Sequence, residues 1–565
     1  MGNGKKDPAP QFKYKKHMSV GAMSAEEDHR FLQDCFLDTG DFEVLTDTHN
    51  PKCIALGRTG AGKSALLEKI KQKEEHVIEL LPEELSIGYI SNSNILTFFE
   101  SLGVNLDLFY QLLWRHVLSV ELIKNKFKIT NEYSNRTFSE RLSEIFRRDQ
   151  KKEKAINYLR QWGDKFWLET DTRIKELTTK LENELKGDID LKSLGIPINA
   201  SGAEKLTRES KQEICSRAQA VVNKVQVQDL NNVINLLAQD IFTDTQQKFF
   251  IIIDKLDDNW VEDEMRYRLI RALIETIKTF RKVSPVKIIV ALRLDLLGRV
   301  FDRTRDAGFQ EEKYEDMLLR IRWSKEQIEE MLDKRTSLMI RQAYTQDKVK
   351  SGDILPPHVG SERSLDFMLD RTLMRPRDAI LFMNECLEQA QGHPKITAKM
   401  IRDAEITYSK KRFNSLCHEW FGDFPLLGNY CEILKKKKDG FKHSEITREQ
   451  IEEIAIELAV NEKSPKDPMA SLARSLVQDN TISRSTFLNQ LLRNLYKVGI
   501  VGVKRDSYSS TIWSQDNDPE ISESEVKRSS FFYVHPMLWR YLGVNGEDST
   551  KNLIGTANTP QKKSH

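Results

Sequence analysis

Short apolar runs alternate with longer segments of helical periodicity through the first 325 residues. Residues 52–56 and 249–253 are almost continuously apolar, and 76–80, 287–292 and 317–321 are further candidate strands. Unbroken apolar runs of this length are typical of strands that are buried on both faces, as in parallel sheets with helices on either side. The pattern therefore predicts an α/β fold with a parallel sheet.

The rest of the chain is helical in pattern, or polar without periodicity. A mixed-charge helical stretch at about 97–245 interrupts the strands, residues 324–415 have helical patterns only, and 416–545 combine helices with a strand-rich end. These shifts predict five segments: a disordered N-terminus (1–19), an α/β core (20–323) with a helical insertion (about 97–245), an all-helical region (324–415), a C-terminal domain (416–545) and a disordered tail (546–565).

Composition excludes several classes of protein. Lys and Arg number 87 against 85 Asp and Glu, so any nucleic-acid surface must be local. No apolar run approaches the roughly 18 residues of a membrane span, and the first residues lack the apolar core of a secretory signal. Six cysteines without CxxC spacing indicate neither a disulfide framework nor a zinc site. We expect a soluble, cytoplasmic protein.

One segment carries the phosphate-binding motif G-x-x-x-x-G-K-[ST]: Gly57, Arg58, Thr59, Gly60, Ala61, Gly62, Lys63 and Ser64. It lies between a predicted strand and an apolar-periodic helix that opens with Ser64 and Ala65. Glycines let backbone N–H groups converge on phosphate oxygens, and the helix N-terminus adds its dipole. Lys63 would bind the β- and γ-phosphates of ATP, and Ser64 would bind Mg²⁺.

The expected partner of this motif is an apolar strand that ends in a carboxylate. The strand 249–253 is followed by Asp254, which would complete the Mg²⁺ shell at the carboxyl edge of the sheet. Lys63 and Asp254 are 191 positions apart, and the helical insertion accounts for most of that distance.

These motifs resemble the AAA+ and STAND/KAP-like branch of P-loop ATPases. The order of P-loop, Asp-ended strand, helical lid and C-terminal winged helix is also similar to the initiator (Orc/Cdc6-like) clade. A still closer resemblance is to an uncharacterised bacterial P-loop ATPase family with three further motifs: G-x-x-x-A-E-x-D, here from Gly21 to Asp28, I-D-x-L-D-x-x-W, here ending at Trp260, and L-R-x-D-L, here from Leu292 to Leu296.

The resemblance implies roles for several acidic and basic residues. Lys255 stands where many AAA+ proteins carry the acidic residue that polarises water. Asp257 or Asp258 would orient the water instead, or they form a solvated turn, or hydrolysis is slow. Arg293 would contact the γ-phosphate as sensor 1, or it pairs with Asp295. The resemblance also implies an arginine finger before the strand at 317–321, for which Arg303 and Arg305 are the candidates.

A second phosphate sensor is implied at the start of a lid helix. Arg375 and Arg377 flank Pro376, a residue that is tolerated in a first helical turn. One of them would bind the phosphates bidentately and report their state to the lid. The alternative is a surface cap in which an arginine pairs with Asp378.

The C-terminal pattern, a helix before two strands that are joined by a long loop, resembles a winged helix. Such a domain would bind duplex DNA or dock a protein. The basic residues Lys435 to Lys438 favour DNA contact, whereas five carboxylates between 515 and 525 oppose it: Asp516, Asp518, Glu520, Glu523 and Glu525.

Three functional hypotheses follow. The first is an ATP- and Mg²⁺-dependent AAA+/STAND-like switch that hydrolyses ATP slowly or only when triggered, in bacterial defence against phage or mobile DNA. It would act as a homo-oligomer with a separately encoded effector or trigger protein. The second is an ATP-dependent DNA-binding protein of initiator or loader type. The third, motivated by Lys255, is a nucleotide-binding scaffold with little catalysis.

Overall fold

The structure is a computed structural model. It describes residues 13–82, 98, 101–127, 179, 183, 208, 211–212, 214–218, 233–258, 260–305, 310–343, 348–461, 467–506, 508–515, 521–529 and 531–544. Most of the predicted insertion, the predicted tail, and Asp516, Asp518 and Glu520 lie outside these residues. The chain divides into two compact units. The first comprises Asp38–Arg58 and Lys63–Ile321, and the second comprises Met1–Leu37, Thr59–Gly62 and Arg322–His565.

The first unit is built on the parallel sheet that the apolar runs predict. Its strands are β1 (Ile54–Gly57), β2 (Val77–Leu80), β3 (Phe249–Ile253), β4 (Val286–Arg293) and β5 (Leu318–Arg320). Their order in the sheet is β2-β3-β4-β1-β5, and all neighbours are parallel. Because every strand runs the same way, the residues that follow β1, β3 and β4 reach one edge of the sheet.

The short strands of the second unit form two small antiparallel sheets. They are β6 (His358–Val359), β7 (Glu362–Arg363), β8 (Gly440–Phe441), β9 (Val501–Lys504) and β10 (Phe531–Val534). The hairpin β6–β7 corrects the expectation that 324–415 is purely helical, since two-residue strands are too short to give an alternating pattern.

Helices account for most of the remaining described residues. In chain order they are α1 (His29–Cys35), α2 (Asp41–Thr46), α3 (Lys63–Lys73), α4 (Asp107–Phe127), α5 (Asp263–Phe280), α6 (Leu294–Arg303), α7 (Glu312–Glu315), α8 (Lys325–Ala343), α9 (Ser351–Ile354), α10 (Ser364–Leu369), α11 (Pro376–Gln389), α12 (Ala398–Glu419), α13 (Leu427–Tyr430), α14 (Arg448–Ala459), α15 (Pro468–Val477), α16 (Arg484–Val498), α17 (Glu523–Arg528) and α18 (Trp539–Leu542).

The sheet of the first unit is covered by apolar helices. All five residues of β3 are buried, and α4 and α5 pack on one another beside the sheet. The indole of Trp114 on α4 donates a hydrogen bond of 2.9 Å to the carbonyl of Leu269 on α5. A sheet of this strand order, with a phosphate-motif loop between β1 and α3, is a P-loop NTPase core.

The second unit ends in a winged-helix-like arrangement. Helices α14, α15 and α16 lead into β9, and the sheet order is β8-β10-β9 with antiparallel pairing. The sequence predicted β9 and β10 but missed β8, which has only two residues. A bridge from Val503 to Ile512 turns the loop after β9 into a wing. In the described part of the chain, every helix is too short or too polar to cross a lipid bilayer.

The N-terminal segment packs within the second unit. Tyr14, from the stretch predicted to be disordered, is buried, and its backbone pairs with Gly392 and His393. The buried Arg335 on α8 binds the carbonyl of Val20 at 2.9 Å and the carboxylate of Asp28 at 2.5 Å. These contacts hold residues 14–28 along the helices of this unit.

Candidate functional site

The phosphate-motif loop has the backbone geometry that its glycines permit. Gly60 and Gly62 have φ angles of +80° and +99°, which disfavour any residue with a Cβ. The Lys63 ammonium donates hydrogen bonds to the carbonyls of Gly57 at 3.0 Å and Arg58 at 3.1 Å. Burial lowers the pKa of Lys63, while the nearby Asp257 and Asp254 act in the opposite direction.

Two proposed metal ligands from distant parts of the sequence are in contact. The Ser64 hydroxyl donates a hydrogen bond of 2.9 Å to Asp254 Oδ2, and the Lys255 amide donates one of 2.8 Å to Asp254 Oδ1. Burial raises the pKa of the Asp254 carboxyl, and these two hydrogen bonds partly offset that effect. Hydroxyl and carboxylate oxygens are ligands that Mg²⁺ prefers, and it usually adds waters and substrate phosphates. The pair is therefore suited to hold this ion.

The chain turns sharply after Asp254. Lys255 has a φ of +59°, an uncommon left-handed conformation for a residue other than glycine. The Lys255 side chain is exposed to solvent. It therefore does not occupy the place at the sheet edge where a water-polarising carboxylate would lie.

The two candidate water-orienting carboxylates are placed differently. Asp257 is half-buried, and its Oδ2 lies 3.5 Å from Arg293 Nη1. Asp258 is exposed, and its backbone carbonyl accepts a hydrogen bond of 2.9 Å from Arg266. Of the two side chains, Asp257 therefore lies beside Lys63 and Arg293.

Arg293 ends β4 and forms a paired contact with Asp295. Its Nε lies 3.0 Å from Asp295 Oδ1, and its Nη2 lies 2.8 Å from Oδ2. Although burial alone would raise the pKa of Asp295, Arg293 and Arg299 hold it below its usual value. This is the pairing that the sequence left open, and the contact with a γ-phosphate stays a prediction.

The arginine-finger candidates are both exposed. Arg303 is the last residue of α6. Its Nη1 lies 3.6 Å from Glu264 Oε1, and both side chains are exposed. Arg305 follows two residues later. Neither position is buried beside Lys63 or Asp254, and their assignment stays a prediction.

The tip of the loop, Thr59–Gly62, belongs to the second unit and is held there through its carbonyls. The Thr59 carbonyl accepts a hydrogen bond of 2.7 Å from Arg375 Nη1, and the Ala61 carbonyl accepts one of 2.8 Å from Trp323 Nε1. Between them, the backbone N–H of Arg377 donates to the Gly60 carbonyl at 3.5 Å. We call these three donors the carbonyl clasp.

Arg375 is buried among acidic groups, which corrects the alternative of a surface cap. Its Nε lies 3.1 Å from Asp378 Oδ2, and its Nη1 lies 3.3 Å from Glu419 Oε2. Asp378 is fully buried and also lies 3.3 Å from Arg412. Although burial would lower the pKa of Arg375, Asp378 and Glu419 raise it. Arg375 is therefore fixed in its charged form.

Arg377 is less enclosed and lies directly against Gly60. A Cβ added to Gly60 would lie 2.8 Å from Arg377 Cβ, so the contact requires glycine. Its Nε donates a hydrogen bond of 3.2 Å to the carbonyl of Met23 in the N-terminal segment. Burial, followed by the charge of Arg375, lowers the pKa of Arg377.

The sequence did not predict two of these contributors, Trp323 and Met23. Trp323 precedes α8 as a single aromatic residue in a polar stretch, and Met23 contributes only its backbone. No spacing rule identifies such contacts. The motif G-x-x-x-A-E-x-D, which includes Met23, singled out this segment of the sequence but assigned it no role.

The helix before the wing, α16, presents little open surface. Arg493 Nε donates a hydrogen bond of 2.8 Å to the Ile521 carbonyl, and Asn489 Nδ2 lies 3.4 Å from Glu523 Oε1. Ile521, which precedes α17, and Val526, a residue of α17, are both buried, and α17 packs on α16. The face that bears Asn489 and Arg493 is thus covered by the segment 521–528.

Comparison with known proteins gives matches of three kinds. A family model described as the FunZ-associated C-terminal helical domain matches residues 326–417, from the start of α8 into α12. The putative transposon gamma-delta 80.3 kDa protein of Escherichia coli (strain K12) is 23% identical over 550 residues, which cover 94% of this chain and 68% of that protein. The chain also matches the crystal structure of Cdc6p from Pyrobaculum aerophilum.

The match to Cdc6p has 14% sequence identity and covers 95% of this chain and 97% of that one, with a TM-score of 0.24. A TM-score of this size carries no argument about fold or function. The P-loop NTPase core is therefore assigned from the sheet order and the loop. The family match covers Arg375 and the helix that follows it, α11, which contains Arg377.

Proposed function

We propose that the chain binds Mg²⁺-ATP and hydrolyses it as a nucleotide-dependent switch. The observation that carries this proposal is the contact between Ser64 and Asp254 next to Lys63, in a loop with the full phosphate-binding motif. Lys63 would bind the β- and γ-phosphates, Ser64 and Asp254 would hold the ion, and Asp257 would orient the attacking water. Such a switch operates only if the protein contacts the triphosphate and diphosphate forms differently.

The biological role that we propose is defence against, or control of, mobile DNA in a bacterium. The resemblance to the STAND and KAP-like ATPases supports it, and the similarity to a putative transposon protein of E. coli is compatible with it. In this proposal the protein forms a homo-oligomer and acts through a separately encoded effector or trigger protein.

The test is nucleotide binding and steady-state phosphate release by the purified chain, with Lys63→Ala as the blank. We expect ATP binding that requires Mg²⁺ and turnover that disappears in Lys63→Ala. ATP binding without any turnover would support the scaffold hypothesis, for which the exposed Lys255 is the motivating feature. Failure of the wild-type chain to bind ATP would contradict both.

The alternative function, an initiator- or loader-type DNA-binding protein, rests on the winged-helix-like end of the chain. Exposed lysines such as Lys436 and Lys438 favour it, whereas the cover on α16 opposes reading of a major groove by that helix. Turnover that rises when duplex DNA is added would favour this alternative over a switch with a protein trigger.

A further inference from the structure

The carbonyl clasp follows from a requirement of the phosphate-motif loop. The backbone N–H groups of this loop can converge on an anion only when the neighbouring carbonyls of the loop point away from that anion. Backbone carbonyls that are removed from water need hydrogen-bond donors. Three consecutive carbonyls, those of Thr59, Gly60 and Ala61, each receive one donor in the second unit.

Arg375 is committed to this contact and to two buried carboxylates. Its guanidinium pairs with both Asp378 and Glu419, and Arg412 pairs with Asp378 as well. The fixed fork of the guanidinium reaches Asp378 from Nε and the Thr59 carbonyl from Nη1, whereas all the donors of a lysine ammonium lie on one nitrogen. Little of its charge is left to attract a phosphate.

Trp323 contributes its only polar atom to the clasp. The indole Nε1 binds the Ala61 carbonyl, and the ring lies against Gly62, where an added Cβ would be 3.7 Å from the ring. Because tryptophan has one donor and no acceptor, this hydrogen bond fixes the orientation of the ring relative to the loop.

Arg377 provides an internal comparison. Only its backbone N–H joins the clasp, and among the described residues its side chain has a single hydrogen bond, from Nε to Met23. A change of the Arg377 side chain therefore leaves all three clasp bonds in place.

We propose that Arg375 and Trp323 are positioning residues, which hold the carbonyls of Thr59 and Ala61 so that the loop can receive any phosphate chain. The proposal rests on the proposed function, because it assigns these residues to nucleotide binding. It separates them from a sensor of the terminal phosphate: a positioning residue affects ATP and ADP alike, whereas a sensor affects ATP more.

The test compares Trp323→Phe, Arg375→Lys and Arg377→Gln by calorimetric titration with Mg²⁺-ATP and Mg²⁺-ADP. We expect Trp323→Phe to weaken both nucleotides by the same factor, roughly 3- to 10-fold, which is the range for one hydrogen bond. Arg375→Lys should do the same or more, with the ATP-to-ADP affinity ratio unchanged and the number of binding sites near that of wild type.

The matched control is Trp420→Phe, because the Trp420 indole nitrogen is buried without a hydrogen-bond partner in the described part of the chain. This variant should bind both nucleotides as wild type does. A Trp323→Phe protein with unchanged affinities, or an Arg375→Lys protein that loses ATP binding while it keeps ADP binding, would overturn the proposal. If Arg375→Lys does not fold, Trp323→Phe decides alone. A wild-type chain that binds neither nucleotide would instead remove the proposed function.

Discussion

Ser64 Oγ and Asp254 Oδ2 lie 2.9 Å apart although the two residues are 190 positions apart in the sequence. Their strands are not neighbours, since β4 lies between β1 and β3. The contact arises because parallel strands bring Ser64, one residue into α3, and Asp254, immediately after β3, to the same edge of the sheet.

The first prediction concerns the cost of the half-buried Asp254 carboxylate. Its pKa is raised by burial, so the folded protein binds a proton more readily than the unfolded chain, and the charged form costs folding free energy at neutral pH. Asp254→Asn should therefore stabilise the nucleotide-free protein, by about 0.5–2 kcal/mol. It should also abolish Mg²⁺-dependent turnover. Chemical denaturation and phosphate release measure the two effects.

The size of this stabilisation depends on pH. The gain from Asp254→Asn should shrink as pH falls through the raised folded pKa, because wild-type Asp254 then becomes neutral too. The matched control is Asp258→Asn, since Asp258 is exposed and its change should alter stability by less than about 0.5 kcal/mol. An Asp254→Asn protein that is less stable than wild type at neutral pH would contradict this account.

The sequence predicted the sheet and the loop well because both depend on local pattern. Apolar runs gave all five strands of the sheet to within about two residues, and β3 matched at both ends. The motif spacing and the rule that ligands gather at the carboxyl edge placed Ser64 and Asp254 together. The sequence could not show which of Asp257 and Asp258 lies beside Arg293, because both follow the same strand in a turn whose direction the sequence does not specify.

Contacts between single residues that are far apart in the sequence could not be predicted from it. Trp323 and Met23 belong to no motif of known role. The bond from Trp323 to the Ala61 carbonyl and the bond from Arg377 to the Met23 carbonyl depend on where α8 and the N-terminal segment lie. The burial of Arg375 was missed for a related reason: an Arg-Pro-Arg-Asp string is usually solvent-exposed, and the partner that draws Arg375 inward, Glu419, is 44 residues away.

The second prediction concerns the anchor of the N-terminal segment. Asp28 Oδ1 accepts a hydrogen bond of 2.8 Å from the Ala22 amide, and Asp28 Oδ2 pairs with the buried Arg335. Removing one partner of a buried ion pair leaves an uncompensated charge, so Asp28→Ala should cost about 3–5 kcal/mol of unfolding free energy. Urea denaturation measures it. The neighbouring Glu27→Gln, at an exposed position, should be nearly neutral, and equal losses in both variants would contradict the anchor.

The third prediction concerns duplex DNA. Since Arg493 on α16 is bonded to the Ile521 carbonyl under α17, Arg493→Gln should change duplex affinity by less than about twofold. If the protein binds DNA, Lys438→Gln should weaken it and reduce the salt dependence by about one phosphate contact, because Lys438 is exposed. Fluorescence anisotropy at several salt concentrations measures both. A severalfold loss confined to Arg493→Gln would show that α16 is uncovered in solution and reads DNA.

The last prediction is a pH dependence of stability from Lys287, a lysine buried within β4. Its ammonium donates hydrogen bonds to the carbonyls of Val44 at 2.8 Å and Asp47 at 2.6 Å, near the end of α2. Burial lowers its pKa from 10.5 to about 8, with Cys53 and Asp47 opposing the shift and Arg281 and Lys248 adding to it. The folded protein therefore releases this proton at a lower pH than the unfolded chain.

Between pH 8 and 10.5 the unfolded chain binds the additional proton, so this group makes the protein more stable as pH rises, by at most about 1.4 kcal/mol per pH unit. The Lys287→Met protein lacks this pH-dependent contribution to the free energy of unfolding. The substitution also leaves the carbonyls of Val44 and Asp47 without this donor. Wild type should be the more stable protein at pH 7.5, and its advantage should grow by about 1–2 kcal/mol by pH 9.5. Urea denaturation of both proteins across this range tests it, and an advantage that stays constant or shrinks would show that Lys287 keeps an ordinary pKa in the folded state.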